Sequence, residues 1–193
     1  IKDRMIKKKI SELSAYFAMF LEKNYDPITR WVLDISAMKT YEKKLKWIDI
    51  TKTKYFWDIL LTDIIDTLLE EKDKDKKPIA KSIASMLEPY ASWTFSGMFN
   101  SKTNIEFDDR SVVFLLSGNS TNKYKELAIL QSFILVKNII HKSNHNNILT
   151  IDELSILFNI KSEEVQSFFK EQIAAVRNFD GWVLWMTQFL ISP

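Results

Sequence analysis

Cysteine is absent from the 193 residues, which excludes a disulfide framework and any thiolate metal site and suits a reducing compartment. Histidine occurs only at His141 and His145, too few for a histidine-rich metal centre. Glycine is confined to Gly97, Gly118 and Gly181, so no glycine-rich phosphate loop of the form G-x-x-x-x-G-K-[ST] exists anywhere in the sequence. No apolar run approaches the roughly 18 residues of a membrane span, and no signal peptide is visible. Charge of one sign is lacking too. Lys and Arg number 27 against 25 Asp and Glu, leaving a net +2 that does not argue for a nucleic-acid partner.

What is present is ordinary for a soluble globular chain: 46% hydrophobic and 27% charged residues. The length suffices for one domain, or a domain with a subdomain attached. The chain starts at Ile1 inside a helical pattern and ends at Pro193 just after an extended one, so it reads as a piece of a larger protein.

Residues 1–100 carry helical periodicity. Ile6, Ile10, Leu13, Phe17, Phe20 and Leu21 predict an amphipathic helix over Arg4–Lys23, broken at Asn24-Tyr25. Asp26-Pro27 restarts a helix, with Asp as N-cap and Pro at the first helical position. Ile28, Trp31, Val32, Ile35 and Met38 make its expected core stripe, running towards Lys44, and Leu45–Lys52 is a connector. Thr53 is positioned to cap a third helix with Phe56, Ile59, Leu60, Ile64 and Leu68. The charge run Glu70–Lys77 reads as a solvated loop, and Lys7-Lys8-Lys9 as a basic helix face in water. Pro78 opens a fourth helix with Ile79, Ile83, Met86 and Leu87, and Pro89 turns the chain into Tyr90-Ala91-Ser92-Trp93. No catalytic spacing occurs in this half; its aromatics sit in helical stripes and read as core.

Beyond residue 100 the pattern changes. Ser111–Leu116 is a continuous apolar run of strand length, followed by a helix through Leu127, Leu130, Phe133, Ile134 and Ile140. Ile148–Ile151 is a second strand. Ser162 caps a further helix with Glu163 and Glu164 in its first turn, and Val165, Phe168, Phe169, Ile173 and Val176 on its buried face, ending near Asp180-Gly181. Trp182–Met186 is a third strand. Strand, helix, strand, helix, strand is the arrangement of a parallel sheet, and apolar strands imply burial on both faces. The fold class expected is therefore α/β: a partial parallel sheet of about three strands with flanking helices over 101–193, preceded by an all-α helical subdomain over 1–100.

The second strand ends in adjacent carboxylates, Asp152 and Glu153, which is the form of a Walker B element. In an α/β sheet ligands bind at the C-terminal edge of the strands. An Asp there can hold the Mg²⁺ of a nucleotide through its water shell, and a neighbouring Glu can polarise the attacking water. A strand entering a turn also meets acidic residues for no chemical reason. The three strands end at Ser117, at Asp152-Glu153 and at Thr187-Gln188, and a parallel sheet puts these groups on one rim. Gln188 could sense a γ-phosphate or the attacking water; as plain structure, Thr187 and Gln188 are a polar turn leaving the sheet.

Taken in order, these motifs resemble the C-terminal ATPase region of the TraC-like family, the conjugation and type IV secretion motor ATPases of bacteria, within the FtsK-like and RecA-like P-loop group. The likeness runs over nearly the whole chain. Leu13–Tyr41 is similar to the family's paired helices, and Thr53, Phe56, Trp57 and Asp58 loosely match its T-x-x-D-hydrophobic helix. Met86–Tyr90 through Gly97–Asn100 resembles its L-x-x-Y…G-x-x-x-F passage. The most specific part is ILTIDEL followed by VRNFDGWVLWMTQ, which keeps Arg177, Gly181, Thr187 and Gln188. Asn178 stands where the family has Lys, and Phe189 where it has Ser, which puts nucleotide-dependent switching at that rim in question.

The resemblance implies ATP and Mg²⁺ as cofactors of the intact protein. Asp152 would hold the metal through water and, with Thr187, bind the cofactor; Glu153 would activate water and Gln188 would act as sensor. Arg177 would reach nucleotide in a neighbouring subunit, as arginine fingers do; from its place alone it is equally a helix C-terminal cation stabilised by the dipole. The resemblance further implies a cytoplasmic homo-oligomer, hexamer or dimer, working with other type IV secretion components and peripheral to the inner membrane. The phosphate-gripping loop would lie before Ile1, so this chain alone is expected not to hydrolyse ATP. A second reading is a non-catalytic docking domain derived from such an ATPase. A nucleic-acid module ranks last, because the two charge signs are interleaved.

Overall fold

The computed structural model describes residues 2–46, 59–93, 95–101, 122–142, 148–151, 163–177 and 182–185. Two units divide the chain, Ile1–Ile105 and Glu106–Pro193. The first is helical: α1 (Lys2–Leu21) with a 3-10 turn at Glu22–Asn24, α2 (Pro27–Leu45), α3 (Leu61–Leu69), α4 (Lys76–Ala91) and the short α5 (Ser96–Phe99). The start of α2 is built as the sequence expects. The Asp26 carboxylate accepts from Thr29 N–H at 2.7 Å, which holds its carboxyl below the usual range, and Pro27 stands at the first helical position.

The buried face of α2 keeps Val32 of the expected stripe and otherwise differs from it. Thr29, Val32, Leu33, Ser36, Ala37, Thr40 and Tyr41 face the core, whereas Ile28 is 58% and Trp31 50% exposed. Small and hydroxyl residues share that face with Leu33, Tyr41 and Leu45, because α1, α3 and α4 all pack against α2 and short side chains let helices approach. The hydroxyls enter satisfied: Thr40 Oγ1 donates to Ser36 C=O and lies 2.8 Å from Thr67 Oγ1 of α3, which itself bonds Asp63 C=O.

Three other expectations need correction. The third helix begins at Leu61, with Ile59 and Leu60 before it: Asp63 Oδ2 accepts from Leu60 N–H at 2.9 Å, closing the N-terminus reciprocally. The cap expected at Thr53 lies outside the described residues. The charge run is a largely exposed loop, as expected, but a tethered one. Glu70 pairs with Lys43 and Glu71 with Lys39 at 3.0 Å, tying the α3–α4 loop to α2, and Lys44 reaches Asp63 at 2.8 Å. Asp73 then accepts from Asp75 and Lys76 N–H, so α4 starts two residues before Pro78. Pro89 does not turn the chain: it sits inside α4, which runs on to Ala91. A proline this near the C-terminus removes one ladder bond, and the buried Tyr90 holds the last turn by stacking on Phe20, ring centroids 4.1 Å apart. Phe95 and Phe99 extend that aromatic core.

The second unit contains α6 (Asn122–Lys142), β1 (Ile148–Ile151), α7 (Glu163–Arg177) and β2 (Trp182–Trp185). Leu127, Leu130, Phe133 and Ile134 of α6 are buried, as are Val165, Phe168, Phe169 and Val176 of α7, and Phe133 meets Phe169 edge-on at 4.8 Å. β1 and β2 pair in parallel, Ile148 opposite Trp182 and Ile151 opposite Trp185. The architecture is α/β with two parallel strands among the described residues. The strand expected at 111–116 and the helix cap at Ser162 lie outside them. Among the described residues Ile148, Trp182 and Leu184 share one sheet face by register and are exposed, while α7 packs against β2.

Candidate functional site

The strands β1 and β2 finish side by side, at Ile151 and Trp185, so their C-terminal ends form one edge. This is the edge at which an α/β sheet binds ligands. A crossover through α7 generates it, because parallel neighbours require the chain to return over the sheet before the next strand. In sequence Asp152 and Glu153 follow Ile151 directly, and Thr187 and Gln188 follow Trp185 by two and three residues. These four candidates and Ser117 lie outside the described residues. Arg177 is the last residue of α7, which packs against both α6 and β2. The structure thus brings together the strand ends that carry the candidates, and sets Arg177 at a helix C-terminus.

Electrostatic features that periodicity does not reveal occur elsewhere. In the helical unit Glu12 is buried and pairs with Lys9 at 3.0 Å. Burial, reinforced by the Glu12 charge, pushes the phenols of Tyr16 and Tyr41 up. Asp34 accepts from Ser14 Oγ at 3.3 Å, and half-burial raises its carboxyl despite Arg30 nearby. In the second unit Gln172 is buried on α7 and its Oε1 has no hydrogen-bond partner among the described residues. Gln172 escapes sequence reading because it falls at the spacing of the apolar face, between Phe168-Phe169 and Val176. Among the described residues no group of three or more His, Asp or Glu could hold a metal ion, and no helix is long and apolar enough to cross a membrane.

No family model matches the sequence, and no curated protein does. A solved structure does: VirB4 of Thermoanaerobacter pseudethanolicus superposes over 94% of this chain with a TM-score of 0.76 at 16% identity. The fold is VirB4-like. The chain spans 50% of that VirB4 chain, so what is shared is the architecture of about half of it. A VirB4-like fold is an α/β fold, in keeping with the parallel β1–β2 pair, and at this identity the likeness carries the fold alone.

Proposed function

We propose that this chain is part of a type IV secretion ATPase, and that Asp152 and Glu153 form the metal-and-water side of its ATP site. The observation that carries the reading is the coincidence of two independent things. The fold is shared with VirB4, a type IV secretion ATPase, and the two parallel strands that end together at Ile151 and Trp185 are those followed in sequence by Asp-Glu and Thr-Gln. In this reading residues 1–100 are a helical subdomain and 101–193 the RecA-like portion. Asp152, helped by Thr187, holds Mg²⁺-ATP through the metal's water shell; Glu153 takes a proton from the attacking water; Gln188 senses the γ-phosphate. Asp152 and Thr187 would hold the Mg²⁺ of such a nucleotide, which would supply positive charge against that developing on the phosphates. Arg177 acts on nucleotide held by a neighbouring subunit of a hexamer or dimer, and the protein works with other secretion components at the cytoplasmic face of the inner membrane.

The phosphate side of such a site needs loop amides and a lysine, and no G-x-x-x-x-G-K-[ST] occurs between Ile1 and Pro193. The isolated chain is therefore expected to show no ATP turnover above a Glu153→Gln control. Turnover above that control would overturn the division of the site. Asn178, Phe189 and the missing loop favour a second reading, a docking domain that has lost catalysis. The coding sequence upstream of Ile1 separates the two: an in-frame phosphate loop supports the ATPase, and its absence supports docking.

A further inference from the structure

Both helices described in the second unit stand on one side of the sheet. α7 packs against β2, and α6 packs against α7, with Phe133 edge-on to Phe169. One sheet face carries Leu149, Ile151 and Val183, all half-buried. The other carries Ile148 beside Trp182 and Thr150 beside Leu184. There Trp182 is 69%, Ile148 67% and Leu184 54% exposed, and no charged residue interrupts the patch. An antiparallel sheet can leave one face to water, but a parallel sheet is covered on both, because its crossovers bring helices to both faces. In a doubly wound sheet, crossovers made in one direction put their helices on one face, and those made in the other direction supply the second. β1, α7 and β2 form one such crossover, and α6 leads into β1 from the same side. The cover for Trp182 thus belongs to chain wound the other way. None occurs among the described residues, whereas in VirB4 half of the chain lies outside the shared fold and has room for it.

We propose that this face of β1 and β2 seats an amphipathic helix from the part of the parent protein that this chain does not contain, so that the sheet is completed only in the intact protein. The inference rests on the chain's being part of a longer VirB4-like protein, and on no step of the ATP chemistry. The geometry sets what the helix must offer. Trp182 and Leu184 are separated by roughly 6.6 Å along the strand, close to the 5.4 Å between successive turns of a helix. A helix laid along the strands therefore meets Trp182 and Ile148 with one turn and Leu184 with the next, through apolar residues at i and i+4. A second copy gains too little here, since three side chains fall well short of the roughly 800 Å² per partner of a stable complex. A helix tethered in the same polypeptide needs no such area, because the tether keeps its effective concentration high.

Hydroxyl-radical footprinting read by mass spectrometry tests this on wild-type proteins, with each rate normalised to that of the denatured chain. Trp182 should be oxidised about fivefold or more slowly in the intact protein than in the 193-residue chain, as its 69% exposure falls to that of a core residue. Photo-cross-linking then identifies the cover. With p-benzoylphenylalanine in place of Leu184, the intact protein should cross-link to chain outside Ile1–Pro193 of the same polypeptide, a product that keeps monomer size under denaturing conditions. The proposal is overturned by equal oxidation of Trp182 in the two proteins, or by cross-links that fail to form, stay within Ile1–Pro193 or run to a second polypeptide. ATP turnover of the intact protein is a separate readout. A dead ATP site beside a protected Trp182 refutes the catalytic reading alone, and turnover beside an open Trp182 refutes the covering helix alone.

Discussion

Asn100 offers a sharp test of how the helical unit is held together. Its carboxamide Oδ1 accepts from Thr62 N–H at 3.1 Å and from Thr62 Oγ1 at 3.3 Å, and its Nδ2 donates to Ala91 C=O at 2.8 Å. Thr62 N–H is one of the donors left over at the start of α3, and Ala91 C=O one of the acceptors left over at the end of α4. One side chain therefore caps two helices from a third element, the residue after α5. Asn100→Ala removes all three bonds. A neutral hydrogen bond contributes about 0.5–1.5 kcal/mol net, and the site is half-buried so water replaces part of the loss; about 2 kcal/mol is expected. For a unit of this size that corresponds to a fall of roughly 8–16 °C in melting temperature. Asn100→Asp keeps both bonds from Thr62 but turns a carboxylate oxygen towards Ala91 C=O, so it should also destabilise. Thermal and urea unfolding followed by circular dichroism measures both. A change below about 0.5 kcal/mol for Asn100→Ala, the scatter of a surface substitution, would refute the double-cap account.

Two further predictions follow from the packing of α2 and the loop that ties to it. Leu33 is fully buried, so Leu33→Ala should cost about 2–5 kcal/mol, whereas Trp31→Ala, at a half-exposed site, should cost much less; urea midpoints that rank the other way would restore the stripe to the core. The Glu71 carboxyl is driven down to about 2, first by the Asp73 N–H and then by Lys39. Its folded value lies below its unfolded one, so its contribution is present above about pH 4.5 and is lost as the pH falls towards 2. Glu71→Gln should thus melt lower than wild type at pH 7, and the gap should close across that acid window.

Much of the architecture is legible in the sequence because local chemistry sets it. Asp26-Pro27 names its own cap, and the stripes of α6 and α7 reappear as the buried faces that join Phe133 to Phe169. The strand pair is legible too, since Ile148–Ile151 and Trp182–Trp185 are apolar runs separated by a helix. What periodicity misses depends on partners distant in sequence. The α2 core face joins Leu33, Tyr41 and Leu45 to short residues such as Ala37 and Thr40 that allow close helix packing, a mixture that a purely apolar stripe does not single out. The α3–α4 charge run acquires partners only because Lys39 and Lys43 happen to lie beside it. Pro89 stays helical because Tyr90 has Phe20 to stack on. Of the candidate site, the structure supplies the parallel strand ends at Ile151 and Trp185 and the helix terminus at Arg177. Asp152, Glu153, Thr187 and Gln188 take their assigned roles from the sequence motif.

The central claim is that Glu153 prepares the water of an ATP hydrolysis reaction while Asp152 holds the metal. The measurement that meets it directly is Mg²⁺-ATP binding and turnover by the intact protein that carries this chain, with Glu153→Gln as the variant. The account predicts turnover lowered by about 10²–10⁴-fold, the range for loss of a general base, with Mg²⁺-ATP binding retained because the metal side is untouched. Turnover unchanged in Glu153→Gln would contradict it.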